Sequence, residues 1–112
     1  MLGTGMRRGG GGMIRSLKLR QSAKGQQCTV NLKHVCNYSP DTVVLAHLPD
    51  ESKGMSRKSD DHVAAFACSA CHDMIDGRVK RTIPELELEW YMRRAQNRTM
   101  RIWIESGLVK LP

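Results

Sequence analysis

The decisive stretch of this sequence reads Ala67-Cys68-Ser69-Ala70-Cys71-His72-Asp73-Met74-Ile75-Asp76, and Gly77 follows it directly. Two residues separate the cysteines, and this spacing lets two thiolates bind one tetrahedral metal ion. The stretch also predicts a helix that begins at Ser69 or Ala70 and ends at Asp76, because glycine is favoured just past a helix end. A pair of metal ligands at the start of a short helix is therefore the expected centre of the fold.

A second pair of cysteines, Cys28 and Cys36, lies upstream, with seven residues between them. This spacing is wider than in the usual zinc knuckle, so the two thiols converge only if a hairpin at residues 33–35 returns the chain. The favoured interpretation is a structural Zn²⁺ bound by all four cysteines, which closes a tetrahedral shell and stabilises a small core. Four buried reduced cysteines and two disulfides are the alternatives.

Two strands are predicted between the cysteine pairs. The stronger is Thr42–Leu48, where β-branched residues lead into His47. His62–Ala67 is short and apolar and predicts a second strand, and Cys28–Leu32 is also β-like. The polar residues 50–61 are typical of an exposed loop. These elements predict a β-hairpin followed by the short helix.

The longest helix is predicted from Pro84 to Ser106. Proline suits the first helical position, and the glutamates that follow complement the helix dipole. Apolar side chains recur at three- and four-residue steps, as on a core-facing helix surface; they are Leu88, Met92, Ala95, Thr99, Ile102 and Trp103. Arginines occupy much of the remaining surface, which is predicted either as a solvated face or as a phosphate-binding face.

Charge is distributed unevenly along the 112 residues, whose formal net charge is +7. Residues 1–24 contain six basic residues and no acidic residue, and Gly9–Gly12 is a four-glycine tract. We expect residues 1–24 to be a flexible basic arm and residues 25–112 to be the folded domain. Such an arm fits a polyanion, DNA first, because each neutralised phosphate releases counterions. A solvated tail without a partner is the alternative.

Two classes of protein are excluded by the apolar pattern. No run approaches the roughly 18–20 apolar residues of a membrane span, so an integral membrane protein is not expected. The N-terminal arginines have no apolar segment behind them, so a secretory signal is not expected either. We therefore expect a cytoplasmic protein, and in a reducing cytosol cysteines bind metal more often than they form disulfides.

Three further side chains are candidates for chemistry. His72 and Asp76 are four residues apart, which on a helix places them on one face where they can hold a second, divalent ion. The same spacing also occurs in ordinary surface pairs. His47 is the histidine at the end of the strongest predicted strand. It is either a partly buried histidine whose ring nitrogens have hydrogen-bond partners or a functional residue.

These motifs together resemble the YbcO-like nuclease family of lambdoid phages and prophages, which is similar to the HNH, or ββα-metal, nucleases. The resemblance covers about residues 20–110, and the run Cys68–Asp73 is its most specific part. The matching positions are Cys28, Cys36, Val44–His47, Lys58, Asp61, Ala67–Asp73, Ile75, Asp76, Ile102, Trp103 and Glu105–Lys110.

The resemblance implies roles for individual residues. It makes His47 the general base at the strand end and His72 a metal ligand, with Asp76 where HNH enzymes often have a second helical histidine. Asp61 is the nearest candidate for the middle asparagine of that motif. Lys58 is expected to help by steadying the phosphate as a point charge. Ala46 departs from the family pattern, because HNH enzymes commonly carry a metal ligand just before the base.

The sequence thus predicts an α+β fold, a zinc-stabilised ββα-metal (HNH-like) domain with a C-terminal helix. The predicted function is a DNA endonuclease that depends on Mg²⁺ or Mn²⁺ and acts in phage recombination or replication inside a bacterial host. One alternative is a non-catalytic zinc module that binds DNA or a recombination protein. Another is a purely structural protein-interaction module.

Overall fold

The computed structural model describes residues 14–49 and 60–112 of the chain. It is a small α+β fold, as the sequence predicts, with a two-stranded sheet and three helices among these residues. The elements in chain order are α1 (Leu17–Gln21), a 3-10 turn (Pro40–Thr42), β1 (Val44–His47), β2 (Ala64–Ala67), α2 (Ser69–Asp76) and α3 (Glu85–Glu105).

The sheet is an antiparallel pair in which His47 lies opposite Ala64 and Val44 lies opposite Ala67. The predicted strand Thr42–Leu48 is shorter in the structure, because the preceding Pro40–Thr42 forms a 3-10 turn. All four residues of β2 are buried, which explains why all are apolar, three alanines and Phe66. The order β1, β2, α2 agrees with the predicted hairpin followed by a helix.

Two threonines bind the outer edge of β2. The carbonyl of Phe66 accepts hydrogen bonds from the backbone N–H of Thr29 at 2.8 Å and from its hydroxyl at 3.0 Å. The N–H of Phe66 donates to the hydroxyl of Thr99 at 3.2 Å. The β-like stretch Cys28–Leu32 is therefore not a third strand: it meets the sheet only at Thr29, and Asn31 has a φ of 47°. That prediction was wrong.

Helix α3 packs across β2 and contributes four side chains to the hydrophobic core. Four of the six predicted face residues are buried, Met92 and Ile102 are half-buried, and Tyr91 is buried although it was not predicted; the buried set is Leu88, Tyr91, Ala95, Thr99 and Trp103. The fully buried Trp103 meets Phe66 edge to face, with ring centroids 6.1 Å apart. No helix in the described part of the chain, α3 included, is long and apolar enough to cross a membrane.

Helix α1 belongs to the packed body, although its residues fall in the stretch expected to be a flexible arm. Leu19 and Ala23 are buried in the core. The indole N–H of Trp103 donates to the Ser22 hydroxyl at 2.8 Å, which joins α1 to α3. Residues 14–24 are therefore ordered by apolar burial that a charge count cannot detect. Residues 1–13 lie outside the described residues, and their flexibility stays a prediction.

Replacing Leu19 with alanine tests whether α1 is part of the core. We expect Leu19→Ala to lower the free energy of unfolding by about 2–3 kcal/mol, since a buried leucine loses its packing. Leu17→Ala is the matched control on the same helix, because Leu17 is 69% exposed. Urea denaturation of both variants measures the difference. Equal, small effects would show that α1 does not contribute to the fold.

Candidate functional site

The four cysteines converge, as their spacing predicts. The sulfur atoms of Cys28, Cys36, Cys68 and Cys71 all lie within 4.8 Å of one another, and none forms a disulfide. The turn at residues 33–35 brings Cys36 back, with its N–H donating to the Leu32 carbonyl at 2.9 Å. The group is therefore preformed from two separate parts of the chain and can hold a metal ion.

Backbone N–H groups point at three of the sulfurs. Asn31 donates to Cys28 Sγ at 3.3 Å, and Leu32 donates to Cys71 Sγ at 3.4 Å. The N–H of Cys71 donates to Cys68 Sγ at 3.4 Å, which makes Cys68 the N-cap of α2. Donors of this kind stabilise negative charge on sulfur, so the loop and the helix start are built to carry thiolates.

The distances also suit a tetrahedral ion. With Zn–S bonds of about 2.3 Å, the sulfurs of a four-thiolate site lie about 3.8 Å apart. Cys36 Sγ and Cys68 Sγ are 3.8 Å apart. The side-chain hydrogen bond from Cys71 lowers the pKa of the Cys28 thiol to about 5, whereas burial raises the pKa of Cys36 to about 11. A divalent ion displaces the remaining thiol protons when it binds.

A cleft of about 850 Å³ lies between α1, β1 and α2. It contains three of the predicted site residues, His47, His72 and Asp76. Three basic side chains line the same cleft: Arg20, Lys24 and Arg78. The sequence analysis did not identify these cations as site residues, because Arg20 and Lys24 fell in the expected flexible arm and no local signal singled out Arg78.

Asp61 is the buried centre of this region. It has no exposed surface, although it was expected in an exposed loop. Its carboxylate accepts hydrogen bonds from Ser16 N–H at 2.6 Å, from Arg20 Nε at 2.9 Å and Nη2 at 3.2 Å, and from His47 Nε2 at 2.8 Å. One carboxylate therefore links the N-terminal segment, helix α1 and the end of β1.

These partners keep Asp61 ionised. Burial by itself raises the pKa of a carboxyl group, but the hydrogen bonds from Arg20, His47 and the Ser16 N–H outweigh it and hold the pKa of Asp61 at about 2. An ionised carboxylate only accepts hydrogen bonds, so His47 Nε2 is the donor in their contact. The neutral ring of His47 then has an unprotonated Nδ1, a proton acceptor.

His72 and Asp76 form a pair on α2. His72 Nε2 lies 3.1 Å from Asp76 Oδ2, and Arg78 Nη2 lies 3.2 Å from the same oxygen. Adjacent ligands of an octahedral Mg²⁺ with bonds of about 2.1 Å lie about 3.0 Å apart, so the pair has the separation of two metal ligands. Within the described residues, His47 does not join them in a cluster of three ligand atoms. Lys58 lies outside the described residues.

Comparison with known proteins places these features in a family. The family described as "Putative nuclease YbcO" matches residues 17–108. Proteins of this name from Escherichia coli K12 and from Enterobacteria phage 82 are each 39% identical over 93 residues, covering 82% of this chain and 96% of each relative. A solved structure titled as a putative bacteriophage protein from Escherichia coli K-12 is 35% identical, with a TM-score of 0.66. It aligns over 80% of this chain and its own whole length.

Replacing Asp61 with asparagine tests the buried carboxylate. A fall in pKa from 3.8 to about 2 corresponds to about 2 kcal/mol of stability at neutral pH. Because the folded pKa is depressed, this stability is present above the unfolded pKa and is lost as the pH falls towards 2. We expect Asp61→Asn to cost about 2 kcal/mol at pH 7 and progressively less below about pH 4.

Urea titrations at several pH values measure this difference. Asp60→Asn is the matched control, because Asp60 accepts only an exposed hydrogen bond from Ile14 N–H, which an asparagine oxygen can also accept. A stability difference between wild type and Asp61→Asn that does not change with pH would contradict the assignment.

Proposed function

Since the chain belongs to the YbcO nuclease family, we propose that it is a metal-dependent DNA endonuclease of the HNH type that hydrolyses phosphodiester bonds. The observation that carries the proposal is the cleft in which His47, held by a buried carboxylate, lies with the His72–Asp76 pair and three cations. The consecutive order β1, β2, α2 supports the ββα-metal type.

In this proposal His47 is the general base. Its Nε2 donates to Asp61, so Nδ1 accepts a proton from the attacking water. The imidazolium that forms is stabilised by the adjacent carboxylate, much as an aspartate stabilises the histidine of a serine protease. The strand β1 mounts the ring rigidly, and Asp61 prevents it from rotating. Asp61 thus acts as a positioning residue.

The basic side chains of the cleft neutralise the phosphodiester. Arg20 uses Nε and Nη2 for Asp61, which leaves Nη1 available for a phosphate oxygen. Lys24 and Arg78 line the same cleft and add two further cations. Lys58 is also proposed to contact phosphate. Together these residues orient a polyanionic strand with its scissile bond towards His47.

His72 and Asp76 would hold a divalent ion, Mg²⁺ or Mn²⁺. Their contact with each other would then be replaced by contacts with the ion. When bound, such an ion stabilises negative charge on the phosphate oxygens in the transition state. Arg78 contacts Asp76 through Nη2, so it must release that oxygen when a metal binds; Nη2 could then turn to phosphate while Nη1 stays paired with Asp73 at 3.4 Å. Ala46 provides no ligand, and the ion keeps open positions for substrate.

The four cysteines are proposed to bind a structural Zn²⁺. Cys71 is followed directly by His72, so a closed tetrahedral site at the start of α2 fixes the helix that presents the second metal pair. The two ions then have separate roles, because four thiolates leave no position for water or substrate.

A non-catalytic zinc module that binds DNA or a recombination protein is the second candidate. One observation favours it: Asp76 already has His72 and the cation Arg78 as partners, so the cleft can bind phosphate without a divalent ion. In that case the same cations would hold DNA, and no metal-dependent cleavage would follow.

A plasmid-nicking assay distinguishes the two functions. With Mg²⁺ or Mn²⁺ we expect nicking that EDTA abolishes. His47→Ala should lower the rate by about 10²–10⁴-fold, the range for a general base. His34→Asn is the control, since asparagine tolerates the φ of 65° at this exposed position. DNA binding without cleavage by the wild type would establish the second candidate instead.

Elemental analysis tests the structural ion. We expect about one zinc per chain, because one tetrahedral site uses all four thiolates. Cys71→Ser should lose the zinc and unfold much of the body, as metal-binding energy in a small domain is also folding energy. His72→Ala is the matched control next in sequence and should retain the zinc. A well-folded wild type that neither contains nor takes up zinc would contradict this assignment.

A further inference from the structure

We propose that the outward face of α3 binds a second copy of this chain in an antiparallel helix pair with twofold symmetry. The face, here called the outer stripe, follows alternating steps of four and three residues: Leu86, Trp90, Arg93, Asn97, Met100 and Ile104. Such steps keep side chains in one row on helices that pair with each other. The proposal concerns a surface separate from the cleft and does not rest on the proposed function.

The outer stripe exposes large apolar side chains. Leu86 is 85% exposed and Trp90 is 57% exposed, while Met100 and Ile104 are half-buried. A groove of about 600 Å³ runs along this face from Trp90 to Met100. Within the described part of the chain, Leu86 and Trp90 are left largely uncovered, whereas Met100 packs in part against the core. A row of this kind marks an interaction surface.

The stripe is symmetric about Ala95, which argues for a second copy as the partner. Leu86 and Ile104 lie nine residues from Ala95 on either side, and Trp90 and Met100 lie five residues from it. An antiparallel pair whose outer faces cross at the level of Ala95, which itself faces the core, therefore places Leu86 against the partner's Ile104 and Trp90 against the partner's Met100. A twofold interface requires this kind of self-complementary surface.

Polar residues at the centre of the stripe fix the pairing. Arg93 lies two residues before Ala95, and Asn97 lies two residues after it. In the antiparallel pair Arg93 therefore meets the partner's Asn97, and Asn97 meets the partner's Arg93. A polar side chain within an apolar seam specifies register at a cost in affinity. We therefore expect a specific but moderate association rather than a permanent one.

Charge selects the antiparallel direction. The N-terminal half of α3 carries Glu85, Glu87 and Glu89 before Arg93 and Arg94, and the C-terminal half carries Arg98 and Arg101, of which Arg101 pairs with Glu105 at 3.1 Å. The halves thus differ by two charges, and antiparallel pairing brings the glutamate end of one helix towards the arginines of the other, whereas parallel pairing would place like charges together. Glu87 lies on the same side of the stripe as Arg101, and in the antiparallel pair it is within two residues of the level of the partner's Arg101.

A nucleic-acid strand fits the outer stripe less well. The guanidinium of Arg94 stacks on the ring of Trp90 at 4.8 Å from its centroid, so one face of the indole is covered. Arg94 is itself held by Val30, whose carbonyl accepts from Nη2 at 3.1 Å. The glutamates beside Trp90 repel phosphate. These contacts favour a protein partner for the exposed indole.

The dimer leaves the cleft free. The residues that line it come from α1, the 3-10 turn region, β1 and α2, and none comes from α3. The pair would therefore present two clefts that share no lining residue with the helix interface.

Sedimentation equilibrium of the full chain from about 1 to 100 µM tests the association. We expect a reversible shift from the chain mass of 12.6 kDa towards twice that mass. Trp90→Glu should raise the dissociation constant by about 30-fold or more, as for a central aromatic contact. Leu111→Glu is the matched control, because Leu111 is 69% exposed and lies off the stripe. Circular dichroism and urea midpoints verify that both variants fold.

A charge exchange tests the direction of pairing. Glu87→Arg and Arg101→Glu should each weaken self-association, whereas an equimolar mixture of the two should form a heterodimer with restored affinity. Arg81→Glu makes the same charge change as Arg101→Glu, but Arg81 lies outside α3. It should therefore neither weaken self-association nor restore the affinity of Glu87→Arg.

Three results would overturn the proposal. One is a wild type that stays monomeric at the highest concentration, and another is a dimer that Trp90→Glu leaves intact. The third is a monomer whose Trp90 fluorescence responds to a single-stranded oligonucleotide, which would make nucleic acid the occupant. Cleavage activity is not a readout in any of these tests, so failure of the nuclease proposal would not affect them.

Discussion

The buried carboxylate of Asp61 is the interaction on which the cleft depends. It binds the backbone of Ser16, the guanidinium of Arg20 and the ring of His47, three groups that are distant in sequence. A buried charge is costly unless it is fully paired. The partners of Asp61 come from the N-terminal segment and from the end of β1, so pairing this charge holds the two together. The same contacts that satisfy the charge therefore build one wall of the cleft and orient its histidine.

The cysteine cluster provides the second fixed point. Cys68 caps α2 through its sulfur, and Cys71 lies one turn further along the helix, so the cluster sets where the helix begins and how it is rotated. His72 follows directly and faces the cleft rather than the core. The cleft thus lies between two polar centres, the buried carboxylate on one side and the cysteine-bound start of α2 on the other.

Local signals predicted much of this fold because they act over short distances. The turn glycine after Asp76 and the proline before α3 place both helices correctly, and the apolar steps along α3 identify its core face. The position of α1 was not predictable in the same way. Its burial depends on Leu19 meeting a core made by distant residues, and its basic composition suggested the opposite.

Part of the site was predictable because some of its residues are also marked by local signals. The cysteines, His47, His72 and Asp76 are marked by residue type and spacing, and the structure brings them into one cluster and one cleft. Asp61 was a weak candidate from sequence, since nothing local distinguishes it from Asp60 beside it. Only its tertiary partners show that Asp60 is partly buried with an exposed hydrogen bond, while Asp61 is fully buried and accepts hydrogen bonds from His47 and Arg20.

The tautomer of His47 tests the central claim most directly. Two-bond nitrogen–proton correlations of the imidazole rings, recorded on labelled protein at mildly alkaline pH, distinguish a proton on Nε2 from one on Nδ1. Because ionised Asp61 only accepts a hydrogen bond, the neutral ring is predicted to carry its proton on Nε2 and none on Nδ1. A proton on Nδ1 in the folded wild type would contradict it.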